Sequence, residues 1–238
     1  MKAKGRHGTH SPFVYNLAEQ IIPKARNAQP ITAIEVQLKK LKKNPTLIEV
    51  IDFKTGNVDT KSIAKQASQS TSSLKFRSLL KLLCEELEVK NVLEAGTSFG
   101  ISAAYLSKAH SVISIDTIEG NQSISDIAKS HFGTFDKIKF HVGDVHHLYP
   151  NLIKQIKPQL VFLDADHRGN TIDFYLEALK PVMETVKAII IHDIYWSKDM
   201  YSTWKRHSKK FPIAADIFQA GLLFPNIETP NQQFRLKF

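Results

Sequence analysis

The chain has 238 residues, of which 42% are hydrophobic, and a formal net charge of +9 at pH 7. This length and apolar content suffice for one substantial core, so we expect a single α/β domain with an N-terminal extension. The lone cysteine, Cys84, excludes an intramolecular disulfide, and no window approaches the roughly 20 apolar residues that span a bilayer. The basic first residues lack a following apolar segment, so we expect a cytoplasmic protein that is neither secreted nor inserted in a membrane.

The N-terminal part of the chain predicts two helices and a loop. One helix is predicted for residues 12–25, where Ser11 precedes a proline in the order of a helix cap, and another for residues 31–43, whose apolar residues recur at helical spacing. Residues 51–73 contain a Thr-Gly-Asn turn and a serine-rich run, and they predict a loop or a mobile segment.

Residues 91–106 predict a strand that passes through a glycine turn directly into a helix. Gly96 and Gly100 permit backbone conformations that a side chain would forbid, and the unpaired N–H groups of the helix start face the same ligand. A dinucleotide fold expects G-x-G-x-x-G, and this turn lacks one glycine, which disfavours pyrophosphate and a nicotinamide-dependent dehydrogenase. The alternative is that the glycines only permit tight packing between strand and helix.

Four further strands are predicted, and each is followed by an acidic residue. Ligands of open α/β sheets bind at the carboxyl ends of the strands, so we expect these acids to gather along one edge. The strands cover residues 111–118, 137–142, 159–163 and 187–192, and the acids after them are Glu119, Asp144, Asp164 and Asp193. Glu119 follows Gly96 by about 20 residues, the distance at which an acid meets the ribose of a bound nucleotide, and Asp116 inside the strand is its rival.

Five short segments in this order carry a family resemblance. Their sequences are LEAGTSFG at 93–100, TIEG at 117–120, VGD at 142–144, FLDADH at 162–167 and IHDIYW at 191–196. In order and spacing they resemble the motifs of class I S-adenosylmethionine-dependent methyltransferases, and most of all the O-methyltransferases of the catechol and caffeoyl-CoA type.

The resemblance implies a Rossmann-like, doubly wound α/β fold with a seven-stranded sheet, mostly parallel with one antiparallel strand. Residues 212–218 and 233–238 would be the last two strands, joined by residues 221–231. It also divides the chain into an N-terminal helical extension that covers the substrate, residues 1–73, and an S-adenosylmethionine-binding domain, residues 74–238. In relatives such an extension sometimes forms a homodimer face, and His7 and His10 in it could reach the active site, with a disordered terminus as the alternative.

Carried over residue by residue, the resemblance implies a site for the cofactor S-adenosylmethionine. The glycine turn would cradle its methionine part, Glu119 would hold the ribose hydroxyls, and Asp144 would face the adenine amino group. The full set of implied cofactor-binding residues is Glu94, Gly96, Thr97, Ser98, Gly100, Ser102, Glu119, Gly143, Asp144 and Asp164.

The same resemblance bears on catalysis and on a metal. Metal-dependent relatives hold a divalent cation with an Asp and an Asp-Asn pair and use a Lys as base; here Asp164 and Asp193 fill the acidic positions, Ile194 replaces Asn and His167 replaces Lys. Losing an amide oxygen weakens a site for Mg²⁺, and Asp166 should point away from Asp164 by strand alternation, so we favour a reaction without metal over a magnesium site. With an unperturbed pKa of about 6.5, His167 suits the general base, unless it is a solvated loop residue.

The positive charge raises the question of the acceptor. Basic clusters at residues 39–43 and 205–210 lack interleaved aromatic residues, so solvated helix faces are favoured over nucleic-acid binding. The motif at 164–167 lacks the prolines of enzymes that methylate amino groups, which favours a hydroxyl of a small molecule. An RNA or protein methyltransferase that uses the basic surface, and a noncatalytic cofactor-binding protein, are the alternatives. Trp196 and Trp204 are predicted as core anchors rather than substrate walls.

Overall fold

The computed structural model describes residues 11–51 and 55–238, so the two N-terminal histidines at positions 7 and 10 lie outside the described residues. Helices and strands alternate over most of this range. The helices are α1 (Pro12–Asn16), α2 (Ile22–Arg26), α3 (Thr32–Leu41), α4 (Ile63–Ser70), α5 (Leu74–Glu86), α6 (Ile101–Ser107), α7 (Gln122–Phe132), α8 (Val145–Ile156), α9 (Gly169–Leu179) and α10 (Lys198–Ser208). A π-helical segment, Leu17–Ile21, joins α1 to α2, and a 3-10 helix, Lys180–Thr185, follows α9. None of the described helices has both the length and the apolar character to cross a membrane.

Ten strands form two sheets. The strands are β1 (Leu47–Ile51), β2 (Val58–Ser62), β3 (Asn91–Ala95), β4 (Ser114–Glu119), β5 (Ile138–Val142), β6 (Leu160–Leu163), β7 (Ala188–His192), β8 (Ile213–Asp216), β9 (Ala220–Phe224) and β10 (Gln232–Arg235). β1 and β2 pair as an antiparallel hairpin, and the other eight form one sheet in the order β10-β8-β9-β7-β6-β3-β4-β5.

The main sheet confirms the predicted fold class, because it is mostly parallel with one antiparallel strand. It has eight strands rather than seven, since the antiparallel strand, β9, lies in a segment that was predicted to start a connecting loop. All five residues of β9 are buried, so the segment lacks the alternation that marks a strand with one solvated face. Gly221 in β9 is needed for packing, because a Cβ there would come within 2.4 Å of the Trp204 ring.

The prediction of a loop over residues 51–73 is wrong, because this stretch contains β2 and α4. The side chain of Ser62 accepts a hydrogen bond from the Lys65 backbone N–H and so caps α4, and Ile63 and Ala67 are buried at helical spacing. Ser73, at the end of the serine-rich run, caps α5 in the same way, because its side chain accepts from the Phe76 backbone N–H. The two predicted N-terminal helices are present, and Ser11 caps the first of them.

Alternate residues of the central strands pack on opposite faces of the sheet. Leu160 and Phe162 of β6 belong to one apolar cluster, while Val161 and Leu163 belong to the other. The first cluster also contains buried residues of α1, α2, α3 and α5, so the N-terminal segment packs into the same core as the sheet. The helices α8, α9 and α10 cover the second face.

The fold brings the carboxyl ends of the parallel strands to one edge. Three backbone hydrogen bonds join the segments that follow them: Asp164 N–H to Ala95, Gly143 N–H to Glu119, and Gly96 N–H to Ile118, at 2.8–3.0 Å. The acids that the sequence placed after four strands therefore lie along one edge, where we place the candidate site.

Candidate active site

The glycine turn between β3 and α6 requires glycine for two reasons. Gly96 has φ +103°, and a Cβ at this position would lie 2.5 Å from the backbone oxygen of Asp164. Gly100 has φ +77° and precedes the first residue of α6. Close packing is therefore one role of these glycines, and the same packing holds the backbone of the turn directly against the end of β6.

A buried hydroxyl network lies beneath this turn. The hydroxyls of Ser102 and Thr117 each donate to the carboxylate of Glu94 at 2.5 Å, and the Thr97 and Thr117 hydroxyls are 2.6 Å apart. Glu94 and Thr97 are almost completely buried. Burial raises the pKa of Glu94 to about 8, although the hydrogen bonds from Ser102 and Thr117 oppose this rise. These residues support the turn from below.

Glu119 faces the turn from the end of β4. Its Oε2 accepts from the backbone N–H of Ser98 at 2.8 Å, and its Oε1 accepts from that of Asn121 at 3.0 Å. Burial raises the pKa of this carboxyl. Its rival, Asp116, is buried inside the strand and pairs with His141 at 2.8 Å, so it does not reach the edge.

Asp144 follows β5 and caps α8, because its side chain accepts from the backbone N–H of His146 at 2.8 Å. Its side chain is about half exposed, with 46% of its surface accessible, at the same edge as Glu119. Gly143, just before it, donates its N–H to the Glu119 carbonyl at 3.0 Å. A carboxylate in this position can accept hydrogen bonds from a ligand as well as from its helix.

The ends of β6 and β7 bring together Asp164, His167 and Asp193, the residues for which the resemblance implies catalysis and which we call the catalytic set. One carboxylate oxygen from each of the two aspartates and one ring nitrogen of His167 lie within 4.8 Å of one another. The Nε2 atom of His167 is 3.9 Å from Oδ2 of Asp193. Asp193 itself adopts φ +54°, which turns the chain sharply at the end of β7.

His192 is a member of this cluster that sequence reasoning missed. Its Nδ1 lies 2.9 Å from Oδ1 of Asp164 and 3.4 Å from Oδ2 of Asp193. The ring is buried against Phe76, and its nitrogens make no aligned hydrogen bond among the described residues, so the contacts are ion pairs. Burial lowers the pKa of His192, but the two carboxylates, chiefly that of Asp164, outweigh it and raise the pKa to about 10. The sequence contains one signal for this role, because a histidine ends the otherwise apolar run at residues 189–192.

The residues fit a magnesium ion poorly. Ile194 is completely buried and offers no oxygen, and Asp166 turns away to pair with Arg168 and accept from the Thr171 hydroxyl at 2.8 Å, as predicted. Mg²⁺ demands near-octahedral oxygen coordination, whereas Asp164 and Asp193 are the only carboxylates of the described cluster and His192 already pairs with both.

Two aromatic predictions have different outcomes. Trp204 is buried in the core, as predicted. Trp196 is 69% exposed, so its prediction as a core anchor is wrong. It lies in the turn after β7, beyond the edge of the sheet, where its ring centroid is 5.5 Å from that of His167. Trp196 is therefore placed as a wall beside the catalytic set.

A second group of residues that sequence reasoning missed lies against the glycine turn. Ser70 at the end of α4 and the two residues after it, Thr71 and Ser72, line a small cleft together with the turn and Asp164. The hydroxyls of Ser70 and Ser98 are 2.7 Å apart. Because the sequence predicted a loop here, nothing indicated that this segment would lie against the turn.

Comparison with known proteins identifies the central part of the chain. Residues 93–194, which contain the glycine turn and all four acidic strand ends, match the family model described as a methyltransferase domain. Over these residues the chain is similar to that family. The predicted resemblance to class I methyltransferases is confirmed by this match and by the fold. No match was found among curated proteins.

Solved methyltransferase structures share the fold over most of the chain. One is the SAH-bound Podospora anserina methyltransferase PaMTH1, with a TM-score of 0.63, 14% identity and coverage of 92% of this chain and 100% of that one. A methyltransferase from Geobacter sulfurreducens has a TM-score of 0.59 and 15% identity, covering 92% and 96%. An O-methyltransferase from Bacillus cereus in complex with SAH has a TM-score of 0.54 and 18% identity, covering 77% and 80%. At these identities the likeness shows that the chain shares the fold of these proteins.

Proposed function

We propose that the protein transfers a methyl group from S-adenosylmethionine to a hydroxyl group of a small molecule. The observation that carries the proposal is the packing of the Gly96 turn against the end of β6, which sets a cofactor cradle beside Asp164, His167 and Asp193. The B. cereus and P. anserina structures, both bound to SAH, support the choice of cofactor.

The cofactor contacts follow from the placement of polar groups around the turn. The backbone of Gly96 and Ser98 would bind the methionine part, and Glu94, Thr97 and Ser102 would hold that backbone in place from below. Glu119 would bind the ribose hydroxyls, because its carboxylate lies at the end of β4 and contacts the glycine turn through the backbone N–H of Ser98. Asp144 and Gly143 would contact the adenine, and Asp164 would lie next to the reacting end.

Methyl transfer requires the protein to orient the acceptor and to remove the proton of its hydroxyl group. The cofactor supplies a methyl group already activated by a sulfonium. His167 takes the acceptor hydroxyl proton on Nε2 as the oxygen approaches, and the Asp193 carboxylate, 3.9 Å from that atom, stabilises the imidazolium that results. Trp196 restricts the position of the acceptor from the other side of the His167 ring.

The proposal also covers the N-terminal segment, the location of the enzyme, the metal and the oligomeric state. We infer that the N-terminal segment covers the acceptor, that the enzyme works in the cytoplasm without a required metal, and that a homodimer, if formed, uses this segment. The packing of α1, α2 and α3 into the core supports a fixed cover rather than a detached extension.

Turnover by purified protein tests the proposal. SAH release should appear with at least one member of a panel of phenols, catechols and other hydroxyl compounds. His167→Ala should lower that rate by about 100-fold or more, the usual scale for loss of a general base, with cofactor affinity unchanged. His110→Ala, at a largely exposed histidine, is the matched control. No turnover across the panel, despite cofactor binding, would favour the noncatalytic alternative.

A further inference from the structure

A second cavity lies outside the candidate site, between α10 and the edge of the main sheet. It has a volume of about 280 Å³, and strands β8 and β10 form its floor. Lys205 of α10 and Lys209, the residue directly after this helix, line it. Because they are four residues apart and Lys209 keeps helical backbone angles, both side chains extend from the same face. They belong to the basic cluster at residues 205–210, for which the proposed methyl transfer has no role.

The cavity is positively charged, and its one acidic wall residue is already engaged. Asp216 pairs with Arg235 at 3.1 Å and accepts a hydrogen bond from the Tyr195 hydroxyl at 2.5 Å. Asp173 pairs with two other residues of the basic cluster, Arg206 and His207. Within the described part of the chain, the two cavity lysines are thus left without a carboxylate partner.

Aromatic rings extend from the cavity toward the catalytic edge. Tyr201 and the buried Trp204 line the cavity. Tyr201 stacks on Tyr195, with ring centroids 4.9 Å apart, and Tyr195 stacks on the exposed Phe218 at 5.3 Å. The sequence of the basic cluster has no interleaved aromatic residues, but the fold places these rings beside it.

We propose that this cavity binds the phosphoryl group of a small molecule, with Lys205 and Lys209 as its ligands. Two ammonium groups match the double negative charge of a phosphoryl group, whereas one carboxylate would leave one of them unmatched. Arg235 pairs with Asp216 in the wall, so that carboxylate does not cancel the charge of the two lysines. Tyr201 and Trp204 give an organic group attached to the phosphate an apolar surface.

The small volume of the cavity favours a small molecule over a nucleic acid. A single strand needs an extended groove that follows several phosphates, whereas this cavity offers two lysines four residues apart on one helix. The ligand can be a free phosphate ion or a phosphate ester. The site does not depend on the proposed methyl transfer, because it shares no residue with the glycine turn or the catalytic set.

Titration followed by NMR of the two tryptophan indole N–H signals tests the site. Trp204 lines the cavity and Trp196 does not, so the second signal is an internal control. Inorganic phosphate and phenyl phosphate are added separately to the full chain in chloride buffer at constant ionic strength. We expect the Trp204 signal to shift to saturation while the Trp196 signal stays in place. Tighter binding of phenyl phosphate would identify an ester as the ligand, and equal binding would identify free phosphate.

Two double variants distinguish phosphate binding in the cavity from nonspecific attraction to the positive surface. Lys205→Gln with Lys209→Gln should weaken phosphate binding at least tenfold. Lys198→Gln with Lys210→Gln removes the same charge from exposed positions that do not line the cavity, and it should leave binding within twofold of the parent. Circular dichroism confirms that each variant is folded. The proposal is overturned if neither probe moves the Trp204 signal, or if both double variants weaken binding equally.

Discussion

The Nδ1 atom of His192 lies 2.9 Å from Oδ1 of Asp164, where β6 and β7 end side by side. The same nitrogen is 3.4 Å from Oδ2 of Asp193, so one buried imidazole faces both acids of the catalytic set. A cation at this point neutralises two carboxylates that would otherwise repel each other in a poorly solvated place. In this chain the side chain of His192 supplies that charge, which explains how the site tolerates Ile194 in place of an oxygen ligand.

This pairing predicts weak magnesium binding. His192→Asn removes the internal charge and adds an amide oxygen, so the variant should bind Mg²⁺ at least tenfold more tightly than the parent protein. Calorimetric titration with Mg²⁺ measures both affinities, and circular dichroism checks the fold. Equal affinities in parent and variant would show that His192 does not compete for the two carboxylates.

Glu94 predicts a specific dependence of stability on pH. Burial raises its folded-state pKa from 4.5 to about 8, so below about pH 4.5 it is protonated in both folded and unfolded chains. As the pH rises from about 4.5 to about 8, the unfolded chain releases this proton while the folded chain retains it, and the free energy of unfolding falls. In the parent protein we expect the free energy of unfolding to fall by about 2–5 kcal/mol across this range. Glu94→Gln should abolish this fall.

Urea denaturation at pH 5 and pH 8 measures this difference for the parent and the variant. Glu177→Gln, at an exposed acid, is the control and should keep the slope of the parent. If Glu94→Gln shows the same change between the two pH values as the parent, the buried carboxyl is not the source of the dependence.

Gly96→Ala tests the close packing of the glycine turn. The new methyl group would lie 2.5 Å from the Asp164 backbone oxygen, so the turn must move, and we expect loss of S-adenosylmethionine binding together with a stability loss of about 2 kcal/mol or more. Gly56→Ala is the matched control, because Gly56 has φ +73° but nothing within 4 Å of an added Cβ. The free energy of unfolding of that variant should fall by about 1 kcal/mol, and the variant should bind the cofactor normally. Thermal denaturation and calorimetry give the two readouts, and equal effects of both substitutions would remove the packing argument.

Glu119→Ala should weaken cofactor binding by about 1–3 kcal/mol, because it leaves hydroxyl groups of the ligand without an acceptor. Asp116→Ala should leave the affinity nearly unchanged, since Asp116 is paired with His141 inside the sheet. The comparison uses calorimetric titration with S-adenosylhomocysteine. The reverse pattern, with only Asp116→Ala impaired, would transfer the ribose role to Asp116.

Local sequence patterns predicted the centre of the fold better than its margins. The buried parallel strands are short apolar runs, and the acids that follow them reach one edge because parallel strands end on the same side. The glycine turn was recognisable because φ above zero and close backbone contact restrict the residue type. These features depend on a few neighbouring residues, so a single sequence contains them.

The missed features depend on distant contacts. The short strand β9 is indistinguishable from other apolar runs until it pairs with β7 and β8. The pairing of His192 with Asp164 requires two strands to be adjacent, and the exposed position of Trp196 follows from the turn at Asp193. The stacking of Tyr195 on Tyr201 and Phe218 likewise appears only once the edge strands are in place.

Calorimetric titration of the purified protein with S-adenosylmethionine and S-adenosylhomocysteine is the most direct test of the proposed cofactor site. We expect a single site with micromolar affinity for both, unchanged by Mg²⁺ and lost in Gly96→Ala but not in Gly56→Ala. If the folded protein bound neither compound, the glycine turn would not be a cofactor site, and the proposed methyl transfer would be contradicted.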